Sequence, residues 1–348
     1  MDAKVSAVTW MPCLVRQTGR VAFRLGQPDV DDYLDFVAAR ARPNTVLAVA
    51  YDLKVFFAFV RKAPVDVKPA DVLAFIAGQR QVRQSKVVRL EDREAGLAAR
   101  TIRRRLSSVS GLFVYLVALG DRGVSANPVP RGLSARRPGG QPHRSVPLIR
   151  TPRTLPRVLD PGEVAALVAA LRRHRDRAMV EAMVLGGLRR CEVLGLRLED
   201  LHPGEHRVFV AEGKGGRQRI VPVSPRFFAT AAAYLGMERP RISSTDRLFV
   251  VLKEPRRGQP LSPAGLDEIL EGARRRAGLA QATCHQLRHT CLTRLREAGM
   301  ALEAVQAQAG HQSIESTRIY LHLANSWLAE EYRRADELIR ADVLGDVR

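Results

Sequence analysis

The sequence has few cysteines and no long apolar segment. Its four cysteines are too few and too scattered for a disulfide framework: Cys13, Cys191, Cys284 and Cys291. No run of about 18 apolar residues is present, so we expect no membrane-spanning helix. The N-terminus lacks a basic segment followed by an apolar one, and we therefore expect a cytoplasmic protein.

Acidic residues are scarce relative to basic ones. The chain has 56 lysines and arginines against 36 aspartates and glutamates, which gives a formal net charge of +20. Such a charge destabilises the compact state by self-repulsion unless a polyanion offsets it. Nucleic acid is the natural partner, and an anionic membrane surface is the alternative. With 348 residues, 46% of them hydrophobic, the chain can fill two domain cores.

The first part of the chain predicts a small helical domain. Residues 1–27 show no sustained period and are interpreted as a loosely ordered lead-in. Residues 28–125 contain four segments with apolar residues at helical spacing, which begin near Val30, Asn44, Lys68 and Thr101. The polar face of the fourth helix begins with three candidate DNA contacts: Arg103, Arg104 and Arg105.

Residues 126–158 predict a linker rich in proline and arginine. From Arg122 to Leu159 there is no Asp or Glu, while eight arginines and seven prolines occur. Prolines hold the backbone extended and remove hydrogen-bond donors. If both halves bind nucleic acid, the linker between them passes close to it, so its arginines, including Arg136 and Arg137, are candidate phosphate contacts. A solvated hinge without contacts is the alternative.

Residues 159–328 predict a mostly helical second domain with a small antiparallel sheet. Asp160, Pro161 and Glu163 form a helix-start signal with a capping box. Strands at 207–210 and 218–223 flank the glycine-rich segment around Lys214, which predicts a β-hairpin. The predicted fold class is therefore mainly α. Residues 329–348 predict a C-terminal tail helix with six acidic residues, four arginines and one apolar stripe.

The segment from Thr283 to Tyr320 carries side chains suited to a phosphate group. His285 and Arg288 are three residues apart and share a helix face. His311 follows Ala309-Gly310, and Tyr320 lies nine residues after His311. One cation, two imidazoles and a phenol together suggest attack on a negatively charged group.

Two upstream segments complete a known pattern. Arg189 follows Gly186-Gly187-Leu188, and Lys214 lies in the hairpin turn. In this order the residues resemble the tyrosine recombinases, also called the phage integrase family, whose pattern is Arg…Lys…His-x-x-Arg…His/Trp…Tyr. Two positions depart from the family: Gly186 stands where threonine is common, and Ala309 where leucine is common. Neither position belongs to the reacting groups.

The resemblance implies a site-specific DNA recombinase or integrase. Its N-terminal domain would be a core-binding (SAM-like) helical bundle that grips one face of the DNA. The protein would act as a tetramer on double-stranded DNA, through a Holliday junction. The implied catalytic residues are Arg189, Lys214, His285, Arg288, His311 and Tyr320.

The resemblance also implies a chemistry for these residues. Tyr320 attacks a scissile phosphate and forms a 3′-phosphotyrosyl link, while Lys214 protonates the leaving 5′ oxygen. Arg189 and Arg288 hold the phosphate, and the two histidines hydrogen-bond to it. The bond energy stays in the phosphotyrosine, so no ATP, metal or other cofactor is expected.

Several alternatives remain open on sequence alone. Arg190 is the alternative to Arg189 as the residue that holds the phosphate. For Lys214, the alternative is a purely structural position at the tip of the hairpin. His289 is interpreted as structural. A zinc site at Cys284, His285, His289 and Cys291 is a further option, although the spacing fits no common pattern well. A type IB topoisomerase-like enzyme and an inert DNA-binding relative are the alternative functions. The tail helix can dock on its own domain or on a neighbouring protomer.

Overall fold

The structure is a computed structural model of the chain, described here for residues 11–16, 23–81, 96–130, 132, 148–150, 157–211, 218–311 and 317. The chain divides into two compact units, Met1–Arg153 and Thr154–Arg348. The predicted domain boundaries are finer than this division and stay predictions.

The N-terminal unit is built on four described helices: α1 (Pro28–Arg40), α2 (Pro43–Val60), α3 (Pro69–Arg80) and α4 (Ala99–Leu119). The first three begin with proline, whose fixed φ and missing N–H suit the first helical position. Proline therefore starts α2 at Pro43, one residue before the position near which we predicted the helix to begin, Asn44. Gly120 ends α4 in the left-handed region, which glycine adopts without strain.

A two-stranded ribbon lies within the predicted lead-in. Strand β1 (Val15–Arg16) pairs antiparallel with β2 (Phe23–Arg24). Phe23 and Leu25 are buried in the same core as the helices, and the Leu25 N–H donates to the Asp31 carboxylate at 2.6 Å. Strands of two residues are too short to show an alternating pattern, so the sequence carried no signal for them.

Aromatic side chains fill the centre of this unit. Phe56 packs edge-to-face against Phe57 and Phe75, with ring centroids 5.1 Å apart in both pairs. All three rings are fully buried. Such pairs stabilise a core beyond their buried area.

Helix α2 is long and apolar enough to cross a membrane by length and composition alone. In this fold it is a core helix, because Leu53 and both of its central phenylalanines are buried. Its Asp52 is also buried and pairs with Arg104 of α4 at 2.6 Å. The negative charge of Asp52 on this apolar helix is therefore balanced by an ion pair within the N-terminal unit.

The C-terminal unit has seven described helices and a three-stranded sheet. The helices are α5 (Pro161–Ala169), α6 (His174–Val184), α7 (Arg190–Gly195), α8 (Pro225–Met237), α9 (Pro263–Arg276), α10 (Cys284–Glu297) and α11 (Leu302–Ala309). The strands are β3 (Leu201–His202), β4 (Arg207–Val210) and β5 (Arg219–Pro222). The predicted fold class, mainly α with a small antiparallel sheet, is confirmed.

Helix α6 is the central element of this unit. It packs against α8 and α10, and its residues from Ala178 to Val184 are all buried. Most of these residues are apolar, and the one charged residue among them, Glu181, pairs with Arg226. Because α6 leads into Gly186-Gly187, this packing fixes the position of the chain just before Arg189.

The predicted β-hairpin is confirmed in its two strands. Strands β4 and β5 pair antiparallel with Val208 opposite Val221, and both valines are buried. Side chains alternate along a strand, so Arg219 lies on the same face as Val221 while Ile220 is exposed. The hairpin turn, with Lys214, lies outside the described residues.

One residue within the predicted linker and the residue directly after it each pack against a core. Ile149 is buried in the N-terminal core, and Leu159 in the C-terminal one. The Leu159 N–H donates to Thr290 Oγ on α10 at 3.0 Å. Next along the chain, Asp160 caps α5, and its N–H is capped in return by Glu163.

Candidate active site

Arg189 is held at the start of α7. Gly187 has φ +68°, and this left-handed turn reverses the chain after α6. Arg189 then caps α7, with its N–H donating to Glu192 Oε2 at 2.8 Å. Its guanidinium donates to Glu192 Oε1 at 2.8 Å and to the carbonyl oxygen of Gly310 at 3.2 Å. Glu192 therefore holds this guanidinium in place.

Glu192 is the hub of a buried charge cluster. Its side chain is fully buried, and both of its oxygens accept from Arg219 of β5 at 2.9 Å. Arg288 Nη1 lies 3.9 Å from Oε2. Burial alone raises the pKa of this carboxyl, but the hydrogen bonds and charges of Arg219 and Arg189 outweigh it and lower the pKa to about 2. Three guanidinium groups thus surround one carboxylate that stays ionised.

Arg288 is a buried cation on α10. Thr283 caps this helix, and Gln286 completes the capping box. The Arg288 guanidinium donates to the carbonyl oxygens of Gly187 and, at 2.5 Å, Ala309. Its Nη2 also lies 3.3 Å from His311 Nε2. A backbone carbonyl after α6 and another at the end of α11 therefore fix its orientation.

His311 lies directly after α11. Gly310 ends that helix with φ +58°, so the chain turns there and places His311 beside Arg288. His311 Nδ1 lies 3.0 Å from Thr317 Oγ, and Thr317 is fully buried. Gln308 anchors the helix, because its side chain donates to the carbonyl oxygens of Gly186 and Pro222 at 2.9 and 3.0 Å. The structure therefore brings Arg189, Arg288 and His311 together.

His285 lies one turn before Arg288 and is exposed. Its Nε2 is 2.7 Å from Nε2 of His289, and the two rings meet edge to face. Burial lowers the pKa of His289 to about 4, with further contributions from His285 and Arg288. A neutral imidazole therefore hydrogen-bonds to His285 at neutral pH.

The competing residue Arg190 faces away from the cluster. Its guanidinium pairs with Asp267 of α9, and both side chains are about half exposed. Arg189 instead contacts Glu192 and Gly310, so the contacts favour Arg189 for the clamp.

The four residues of the zinc alternative do not converge. Cys284 lies 3.8 Å from Asp267, and burial raises its pKa to about 11. Burial raises the pKa of Cys291 to about 12, and this side chain packs beside Gly187. Within the described ranges, no group of three or more His, Cys, Asp or Glu side chains is placed to hold a metal ion.

The remaining predicted residues have mixed outcomes. Lys214, Tyr320, Arg136 and Arg137 lie outside the described residues, and their roles stay predictions. On α4, Arg103 is exposed, whereas Arg104 pairs with buried Asp52 and Arg105 contacts Gln79. Arg104 and Arg105 are therefore held by contacts within the N-terminal unit. Its role in DNA binding is also still a prediction.

Sequence reasoning missed Arg219 and Gln308. Strand alternation carried a signal for Arg219, since it shares a face with Val221 in the predicted hairpin. No comparable signal marks Gln308, whose partners are backbone carbonyls distant in sequence.

The departure at Gly186 has a structural reason. A Cβ at this position would lie 2.8 Å from Leu188 and 2.9 Å from both the Ala182 carbonyl oxygen and Val223. The space that a larger side chain would need is filled by neighbours, so glycine fits here.

The fold and the cluster define a class of DNA strand-transfer enzyme. The profile of the phage integrase family matches residues 157–326. Tyrosine recombinase XerC of Roseiflexus castenholzii (strain DSM 13941 / HLO8) is 30% identical over 295 residues, covering 80% of this chain and 83% of that protein. The chain belongs to the phage integrase family of tyrosine recombinases.

Other similar proteins carry related names. Tyrosine recombinase XerD of Listeria monocytogenes serotype 4b (strain F2365) is 28% identical over 324 residues, covering 88% of this chain and 97% of that protein. Among solved structures, the XerH site-specific recombinase in a post-cleavage complex with palindromic difH substrate has a TM-score of 0.61. It is 21% identical and covers 87% of this chain and 84% of that one. This structural likeness concerns the fold.

Proposed function

We propose that this recombinase cuts and rejoins double-stranded DNA through a 3′-phosphotyrosyl intermediate, without ATP or metal. The observation that supports the proposal most is the cluster of Arg189, Arg288 and His311 beside buried Glu192. Guanidinium groups match the geometry of phosphate oxygens. The cluster is held by backbone carbonyls and a carboxylate, so little reorganisation is needed when charge develops on the phosphate.

Each bond change has a proposed residue. The Tyr320 hydroxyl oxygen forms a bond to phosphorus, its proton passes to His285, and the bond from phosphorus to the 5′ oxygen breaks. Lys214 donates a proton to that leaving oxygen. Arg189, Arg288 and His311 stabilise the non-bridging oxygens. A 5′ hydroxyl from a partner strand then reverses these steps and releases Tyr320.

We infer a soluble, DNA-bound assembly as the working form. The net charge of +20 favours a polyanionic partner. The similar XerH structure contains that recombinase with its DNA substrate. For this chain we propose a tetramer on two duplexes, with exchange through a Holliday junction.

Substitution of Tyr320 by Phe tests the nucleophile. Tyr320→Phe removes only the hydroxyl, so binding should persist while strand cleavage and the covalent adduct disappear. The assay uses a duplex that the wild-type protein selects from a randomised pool, with the adduct detected on a denaturing gel. A covalent adduct formed by the variant would move the nucleophile to another residue.

The same assay separates the alternative functions. A type IB topoisomerase-like enzyme would relax one supercoiled duplex without exchanging strands between two. An inert relative would bind the selected duplex and form no adduct with the wild-type chain.

A further inference from the structure

Arg219 reaches the cluster from a different element than the other arginines. It lies on β5, its side chain is 14% exposed, and Nη1 and Nη2 each donate to one oxygen of Glu192 at 2.9 Å. A Cβ at Gly310 would lie 3.0 Å from Nε, Cζ and Nη1 of Arg219. The guanidinium is therefore packed between the carboxylate and the turn that precedes His311.

This contact completes the hydrogen bonding of Glu192. Oε1 accepts from the guanidinium groups of Arg189 and Arg219, and Oε2 accepts from the Arg189 backbone N–H and from Arg219. An ionised carboxylate has about four acceptor sites. Without Arg219, each oxygen would lose one donor, and the buried charge would draw the guanidinium groups of Arg189 and Arg288 toward itself.

Burial of the Arg219 side chain costs free energy. Its Nε is buried and lacks a hydrogen-bond partner among the described residues. Burying an unpaired N–H costs free energy, which the two-fold pairing with Glu192 offsets. Only the forked guanidinium can reach both oxygens at once from this strand.

We propose that Arg219 is a positioning residue for strand cleavage. It fills acceptor sites of the Glu192 carboxylate and so leaves Arg189 and Arg288 available to the scissile phosphate. This inference rests on the proposed function of the site and adds a residue outside the six predicted from the sequence. Arg219 acts through Glu192 and not by contact with the DNA.

Two substitutions of Arg219 test the idea. With the selected duplex, Arg219→Leu should slow adduct formation by about 10²-fold, the usual effect of a small misplacement at a reacting centre. The Kd for the half-site should stay near the wild-type value. Arg219→Lys keeps the charge but serves only one oxygen, so it should restore part of the rate. Full rescue by lysine would show that charge alone matters and would overturn the positioning role.

Two further readouts distinguish positioning from general destabilisation. Loss of Arg219 raises the pKa of Glu192, and protonation removes the charge that draws Arg189 and Arg288 away, so the ratio of the wild-type adduct rate to the Arg219→Leu rate should shrink in mildly acidic buffer. In a double-mutant cycle, Arg219→Leu should add little to the defect of Glu192→Gln. Additive defects would show that Arg219 does not act through Glu192. If Arg219→Leu folds poorly, the same cycle measured with Arg219→Lys and Glu192→Gln keeps the test decisive.

Arg226 provides a matched control in the same unit. It pairs with another buried glutamate, Glu181, at 2.8 Å, outside the cluster. Arg226→Leu should leave the adduct rate unchanged. If the wild-type chain forms no adduct, the proposed function fails and this inference with it. If the wild type reacts and Arg219→Leu reacts equally fast, only the inference about Arg219 is wrong.

Discussion

At the scale of single residues, Lys214 is predicted to supply the proton for the leaving oxygen. Lys214→Ala should slow cleavage by roughly 10²–10⁴-fold, the usual contribution of a positioned general acid. A substrate with a 5′-bridging sulfur has a better leaving group, so it should recover most of the loss. The measurement is single-turnover cleavage of both substrates. An equal defect on the two would reduce Lys214 to a phosphate contact.

His289 should make the stability of the protein depend on pH. Its pKa is lowered to about 4 in the folded chain from the ordinary value of 6.5. Between these values the unfolded chain binds more protons, so the free energy of unfolding should fall as pH falls from about 6.5 to about 4. The charged or titratable neighbours that act on His289 are His285 and Arg288.

His289→Gln removes this titration while keeping a group that can hydrogen-bond to His285. Denaturant unfolding across this pH range should show a flatter slope for the variant than for the wild type. His202→Gln, at an exposed position on β3, is the control and should keep the wild-type slope. Identical slopes for all three proteins would contradict the assignment.

The residues of the site differ in how far the sequence revealed them. The resemblance to the family pattern identified Arg189, Arg288 and His311, and the structure brings them together. The sequence could not show that Arg219 shares the carboxylate of Glu192, because that contact joins residues 27 positions apart across two elements. Such partners depend on tertiary packing and carry no local pattern.

At the scale of elements, local rules predicted the four N-terminal helices and the start of α5. The cap at Asp160 and the proline at Pro161 are both confirmed there. The β1–β2 ribbon was missed, because two-residue strands have no period to detect. The burial of Ile149 was also missed, since two adjacent apolar residues among prolines give no helical or strand signal.

The linker arginines are predicted to contact phosphates. Replacing Arg131, Arg136, Arg137 and Arg144 with Gln should flatten the salt dependence of DNA binding, by about 0.9 in log–log slope for each lost contact. Arg157→Gln is the control, since Arg157 pairs with Glu163 at 2.5 Å. The measurement is the DNA-binding constant over a series of salt concentrations. An unchanged slope in the quadruple variant would show that these linker arginines make no phosphate contacts.

At the scale of the whole molecule, the acidic tail is predicted to join protomers. Residues 329–348 carry a net charge of −2 on a chain of +20, from six acidic residues and four arginines. A DNA-contacting segment would not be acidic, whereas a basic, partly apolar groove on a neighbouring protomer would suit it. Docking on its own domain is the alternative.

Deleting the residues after Glu330 tests the docking mode. The shortened protein should still bind one half-site, because its DNA-binding parts are intact. Cooperative pairing and recombination should disappear, with cleavage weak or unregulated. Band shifts on single and paired half-sites, together with a recombination assay, provide the measurement. A shortened protein that assembles tetramers and recombines normally would rule out docking between protomers.

The hydrogen bond from Leu159 to Thr290 has a mechanical consequence. Thr290 is two residues beyond Arg288, and its hydroxyl also donates to the Gln286 carbonyl oxygen at 2.8 Å. The chain at Leu159 is therefore fastened to α10 within one turn of Arg288, so the helix that carries His285 and Arg288 also holds the residue that leads into α5.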